Sequence, residues 1–213
     1  MINLEKISDF ARAEHAENTD GHGFDHIERV AALAQRILLT EPAADTELVL
    51  TACYLHDTYD EKLTTDVPAQ KARVHDFLAD LTSPEFAGKT LEIIDNMSFS
   101  ANLAGRQKLS LEGQIVQDAD RLDAMGAWGI TRALEYGWSH GRKLYDPSVR
   151  PAKLRSKADY RVRNDTTLNH FYEKLFLLKD LLNTAEAKRI GEERDLLMHD
   201  FVSAIEREYH ESH

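Results

Sequence analysis

Leu48-Val49-Leu50-Thr51-Ala52-Cys53-Tyr54-Leu55-His56-Asp57 is an apolar run that ends abruptly on a histidine and a carboxylate. A segment this apolar has to be buried, whereas desolvating a charged side chain costs several kcal/mol, so the terminal pair calls for an opposing charge. A divalent cation is the natural one; the bland alternative is a helix that simply stops at two solvated residues. Two other segments offer matching donors. Gly21-His22-Gly23-Phe24-Asp25-His26 leads into Ile27, Val30, Ala31, Ala34, Ile37 and Leu38 at helical spacing, which puts His26 in a first helical turn with Asp25 as its expected N-cap. Downstream, Gln114 to Gly126 carries Asp118, Asp120 and Asp123 in an apolar-periodic stretch, with Asp120 and Asp123 on one face.

The rest of the chain reads as helices, expected near 2–18, 25–40, 45–57, 66–80, 84–97, 110–119, 120–136, 164–182 and 184–210. Alternating strand patterns are absent. Proline at 42, 84 and 147 marks breaks, and Ser83-Pro84 is the sequence of an N-cap followed by proline at the first helical position. The expectation is an all-α fold of about nine helices in a single domain over 1–213, with C-terminal helices over 164–210. The stretch 137–163, rich in Gly and Pro, is the longest irregular region and a candidate lid over a substrate.

Composition narrows the chemistry. The 213 residues are 42% hydrophobic, enough for one core, and carry 26 Lys+Arg against 37 Asp+Glu, a net charge of -11. That deficit of positive charge disfavours long nucleic acid, and no base-reading motif is present. Residues 101–163 nonetheless hold 12 basic and 7 acidic side chains. Such a local excess either steers a small polyanion or forms a solvated loop. No apolar run reaches the roughly 20 residues that span a bilayer, and the N terminus lacks a signal-peptide core, so a cytoplasmic location without membrane contact is expected. Cys53 is the only cysteine, which excludes an internal disulfide. The charged C-terminal helix is either solvated or a dimer face.

The order His26, then His56-Asp57, then Asp120 in Ala119-Asp120-Arg121-Leu122 resembles the HD-domain metal-dependent phosphohydrolases, in particular their small bacterial cytoplasmic branch that acts on nucleotides. The resemblance covers nearly the whole chain. Supporting segments are the glycine-rich lead-in to His26, Ala52 to Asp57, Met97-Ser98-Phe99, Val116 to Gly126, Tyr145-Asp146-Pro147 and His170 to Leu175. It implies that His26, His56, Asp57 and Asp120 hold one divalent metal, with Asp118 behind them or facing phosphate-bound water. Two neutral imidazoles and two carboxylates suit manganese first, or magnesium, cobalt or nickel. Relatives with more metals use extra histidines between the HD pair and the last aspartate. Here only His75 lies in that interval and Asn96-Met97 stands where some carry histidine, which favours a single ion.

The implied reaction is hydrolysis of a phosphate ester or anhydride in a small nucleotide, above all a (deoxy)nucleoside triphosphate releasing pyrophosphate or phosphate. Asp60, with Glu61 as alternate, is the expected water-orienting base, one turn beyond the HD pair. Arg29, Lys62 and Arg121 are expected phosphate contacts, each with a bland reading as a surface ion pair. Tyr145 is positioned to stack on a base, Arg150 to reach phosphate, and His170 with Lys174 to touch substrate. Two other functions share these features: a nucleotide-binding regulatory module without turnover, and a hydrolase of 3'-pyrophosphate alarmones.

Overall fold

The apolar run becomes α3 (Thr46–Leu55), in which Leu48, Val49, Leu50, Thr51, Ala52, Cys53 and Leu55 are all buried. A helix that is apolar all round has no solvent face, so neighbours must cover every side of it. In the computed structural model, which describes residues 2–16, 23–61, 64–103, 105–152 and 166–212, those neighbours are α1 (Leu4–Glu14), α2 (Phe24–Leu38) and α5 (Pro84–Met97). The protein is all-α. Among the described residues there is no strand, and nine α-helices have seven residues or more.

Two compact units divide the chain, 1–120 and 121–213. In the first, α4 (Val67–Leu81) pairs with α5, and a core forms from Ile7, Ala11, Leu55, Tyr59, Val74, Leu78, Ala87, Leu91 and Ile94. Phe10 stacks on Phe77 at 4.2 Å between ring centroids. Side-chain caps fix where helices begin: Asp45 accepts from the Leu48 N–H, Asp66 from Ala69 and Ser83 from Phe86, the last with Pro84 at the first helical position as the sequence indicates. At α2 the cap is Gly23 instead of Asp25, two residues earlier than expected. Asp25 lies inside the helix and pairs with Arg29.

The aspartate-bearing helix α6 (Leu111–Asp123) runs on past the expected break at 119–120. It ends at Asp123, and the next helix opens at Gly126, which takes φ +68°, a left-handed conformation that costs glycine little. The second unit contains α7 (Gly126–Ser139), α8 (Thr167–Glu173), α9 (Leu178–Leu181) and the 28-residue α10 (Ala185–Ser212). The single helix expected over 164–182 is interrupted at Lys174 (φ -139°, ψ -58°), after which a 3-10 turn over Leu175–Leu177 re-aims the chain. Gly137 permits close packing of α7 on α8, because a Cβ there would lie 2.1 Å from the Thr167 hydroxyl.

The stretch 137–163 is less irregular than its composition implies. It opens with the last three residues of α7, and from 140 to 152 it is tied to α8. Thr167 and Leu168 N–H donate to the Lys143 and Leu144 carbonyls, Asn169 Nδ2 donates to the Val149 carbonyl, and the Ala152 N–H donates to the buried Glu173 carboxylate at 2.8 Å. Residues 153–165, which hold most of the basic excess, lie outside the described residues.

Candidate metal centre

Helix α2 buries the stripe His26, Ile27, Val30, Ala31, Ala34 and Ile37, so the position that faces the core in its first turn is a histidine. Helix α3 delivers the second imidazole at its end: His56 is the C-cap and Asp57 follows in the turn. Their Nε2 atoms face one another at 3.2 Å. Asp57 reaches both rings, Oδ2 to His26 Nε2 and Oδ1 to His56 Nε2, each at 3.5 Å. From α6, Asp120 Oδ1 lies 3.6 Å from His26 Nε2 and 3.7 Å from His56 Nε2. All four groups belong to the first unit. Both histidines are buried, while the Asp120 side chain is 32% exposed and leaves one side of the cluster open.

The separations among His26, His56 and Asp57 fit one shared cation, and Asp120 reaches toward both rings. Donor atoms held at about 2.1 Å from one ion lie roughly 3.0 Å apart at right angles and roughly 3.4 Å apart at the tetrahedral angle. A single ring N–H would also close the 3.2 Å gap between the imidazoles, but it gives no reason for two carboxylates to crowd the same two nitrogens. His26, His56 and Asp57 each bring a donor within 4.8 Å of the other two; Asp120 joins through its contacts with both rings. His56 is also set in the correct tautomer. Its Nδ1–H donates to the Cys53 carbonyl at 2.8 Å, which leaves the Nε2 lone pair aimed into the cluster. The Cys53 thiol takes no part: burial, reinforced by the Asp120 charge, pushes its pKa well above the usual range.

The turn carrying Asp57 is held at several points. Thr58 Oγ1 and the Thr58 N–H both donate to the Leu55 carbonyl, and the Asp60 N–H donates to the Asp57 carbonyl. Tyr59 sinks its ring into the core and donates its hydroxyl to Asp95 Oδ1 at 3.1 Å, while Lys71 Nζ holds Asp95 Oδ2 at 2.5 Å. Burial and the Asp95 charge raise the Tyr59 pKa, so the phenol stays a donor. Sequence periodicity gave no sign of this Tyr59–Asp95–Lys71 chain, because its members lie 36 and 24 residues apart.

The other expected site residues have varied settings. Asp60 is half-buried beside the HD pair and Glu61 is exposed; Lys62 lies outside the described residues. Arg29 Nη1 donates to Asp25 at 2.6 Å; burial opposes the Asp25 charge, yet this bond and the guanidinium charge hold its pKa below the usual carboxylate range. Asp118 is fully buried. His75 is partly exposed beside Asp76 on α4, away from any role suggested by its place between the HD pair and Asp120. In the second unit, Arg121 is buried and donates to the Leu181 carbonyl, Tyr145 packs edge-on to Tyr209 at 5.0 Å, and Arg150 is exposed. His170 and Lys174 are joined through their backbones at the end of α8. Asp123, on the face that spacing shares with Asp120, instead pairs with Arg132 at 2.6 Å.

A family model described as HD domain matches residues 23–125. The chain is 35% identical over 206 residues to the uncharacterized protein YpgQ of Bacillus subtilis (strain 168), covering 96% of this chain and 92% of that one. A crystal structure from Lactobacillus plantarum superposes with a TM-score of 0.88 at 41% identity, covering 97% of this chain and 96% of the other. The crystal structure of YpgQ in complex with ADP gives 0.75 at 32% identity, covering 97% of each chain. One of a Bacillus thuringiensis HD-superfamily hydrolase gives 0.75 at 36%, covering 97% of this chain and 96% of that one. Among the described residues no helix is long and apolar enough to cross a membrane.

Proposed function

Because the chain belongs to the HD-domain family, we propose that it hydrolyses a phosphate ester or anhydride bond in a small nucleotide, using one divalent ion held by His26, His56, Asp57 and Asp120. The observation that carries this reading is that the two Nε2 atoms lie 3.2 Å apart and each carboxylate reaches both of them at 3.5–3.7 Å. A bound divalent ion supplies charge neutralisation for the phosphate and lowers the pKa of water. Manganese is the expected ion, with magnesium, cobalt and nickel as substitutes for the same mixed nitrogen and oxygen donors.

The protein's own groups do the rest. Asp60, half-buried and fixed by its N–H to the Asp57 carbonyl, orients the attacking water and takes its proton; Glu61 is more exposed and is the weaker choice. Arg29, one helical turn beyond His26, offers a guanidinium to the phosphate. That YpgQ was crystallised with ADP supports a nucleotide as the small molecule. A (deoxy)nucleoside triphosphate is the substrate we favour.

The test is a nucleotide panel with Mn2+ in oxygen-18 water, read by phosphorus NMR, on wild type and Asp57→Ala. Label in one phosphorus of the product, with turnover reduced more than about 100-fold in the variant, is the expected result. Turnover that survives both chelator and Asp57→Ala would refute the proposal. Binding without turnover would favour the regulatory module, and selective 3'-pyrophosphate release the alarmone hydrolase.

A further inference from the structure

Between the metal ligand Asp57 and the base Asp60 stand Thr58 and Tyr59, and Tyr59 is the one that reaches into the core cluster. The Tyr59 ring is buried in the core of the first unit, to which α3, α4 and α5 all contribute. Its hydroxyl is committed to Asp95 on α5 at 3.1 Å, and Asp95 is in turn committed to Lys71 on α4 at 2.5 Å. Lys71 Nζ also stands 5.9 Å from the centre of the Tyr59 ring, so the three side chains close on themselves. On the opposite flank of Asp57 the His56 imidazole is held by the Cys53 carbonyl, and between Asp57 and Tyr59 the Thr58 hydroxyl is held by the Leu55 carbonyl. Asp57 is thus bracketed, with its own carbonyl occupied by the Asp60 N–H.

A hydrophobic ring would fill the core equally well without a hydroxyl. The added bond to a carboxylate that is itself ion-paired fixes the rotation and depth of the ring, and through the backbone of one residue it fixes where the Asp57 carboxylate and the Asp60 side chain point. Groups that orient metal ligands in this way commonly change metal affinity or activity by about 10–100-fold when removed.

We propose that Tyr59, Asp95 and Lys71 form a positioning clamp that holds the His56–Asp60 turn in its metal-binding geometry. The clamp rests on the metal-site reading above, and its test does not depend on turnover. Mn2+ affinity is measured by calorimetric titration on the full chain, for wild type, Tyr59→Phe, Asp95→Leu, the double variant and Val74→Ala. Val74 belongs to the same core but has no part in the polar chain, so it reports simple loss of packing.

Tyr59→Phe is expected to bind Mn2+ about tenfold more weakly, the double variant no more weakly than the worse single one, and Val74→Ala as tightly as wild type despite a lower Tm. Equal affinity in Tyr59→Phe and wild type overturns the clamp, and so does a loss in Val74→Ala as large as in Tyr59→Phe, since affinity would then only follow stability. Failure of wild type to bind Mn2+ overturns clamp and metal site together. Weakened binding in Tyr59→Phe, alongside a wild type that turns over no nucleotide, sustains the clamp and rejects the hydrolase reading alone.

Discussion

Asp120→Asn should change the sign of its effect on stability according to whether metal is present. Asp57 Oδ2 and Asp120 Oδ1 lie 3.5 and 3.6 Å from the same His26 nitrogen, so the two carboxylates are at most about 7 Å apart. At that separation like unit charges repel by about 0.6 kcal/mol at the dielectric of water and about 2.4 kcal/mol at an effective constant near 20. The partly exposed Asp120 places the true value toward the lower end. In chelator, therefore, Asp120→Asn removes a repulsion and stabilises the protein by about 0.5–1 kcal/mol, or roughly 1–4 °C in Tm for a chain of this size.

With Mn2+ at a hundredfold excess over its dissociation constant, wild type gains about 2.7 kcal/mol, roughly 5–11 °C, by binding to the folded state alone. The variant, lacking one of the proposed carboxylate ligands, should keep only a small part of that gain at the same Mn2+ concentration. The assay is calorimetric unfolding of both proteins with chelator and with Mn2+. A variant less stable than wild type in chelator, and shifted equally by Mn2+, would show that Asp120 serves packing and not the ion.

Gly129→Ala places a Cβ 2.2 Å from the Ala124 carbonyl oxygen, a backbone atom that cannot yield, so a loss of about 1–3 kcal/mol is expected in denaturant melts. Gly88→Ala in α5 meets nothing within 4 Å and should instead stabilise by about 0.5–1 kcal/mol; equal effects at the two positions would refute the packing argument. Asp146 accepts from the Ser148 hydroxyl, from Lys143 and from the Ser148 N–H, which lower its pKa from 3.8 to about 2. Its folded pKa is depressed, so the stabilisation is complete above about 4 and disappears as pH falls through about 2. Carbon NMR of the Asp146 carboxyl should show the low midpoint, and Asp146→Asn should flatten stability across that window; a midpoint near 4 would contradict the bonding pattern.

The local signals in the chain were sufficient for the all-α class, for α3 as a helix buried on every side, and for the Ser83-Pro84 start of α5. Each depends on neighbours within one or two turns: continuous apolarity has to be covered, and a side-chain oxygen three residues ahead of an N–H has to cap it. His26, His56, Asp57 and Asp120 were legible as a set because two imidazoles and two acids beside apolar runs have few other uses, and because their order resembles a family.

Spacing alone did not settle which acid does what. Asp118, Asp120 and Asp123 occupy six positions of one helix, yet one is wholly buried, one faces two imidazoles and one is taken by Arg132. The helix period says which direction a side chain leaves the axis but not what waits there. The same limit hid the Tyr59–Asp95–Lys71 chain and the tethering of 140–152 by Asn169 and Glu173, which join residues more than 19 positions apart. It also carried α6 past the break expected at 119–120 as far as Asp123, ahead of Gly126, whose backbone angle is open mainly to glycine. Short-range chemistry in the sequence singled out the candidate donors, and tertiary packing chose their partners because contact between distant segments exists only once the chain has folded.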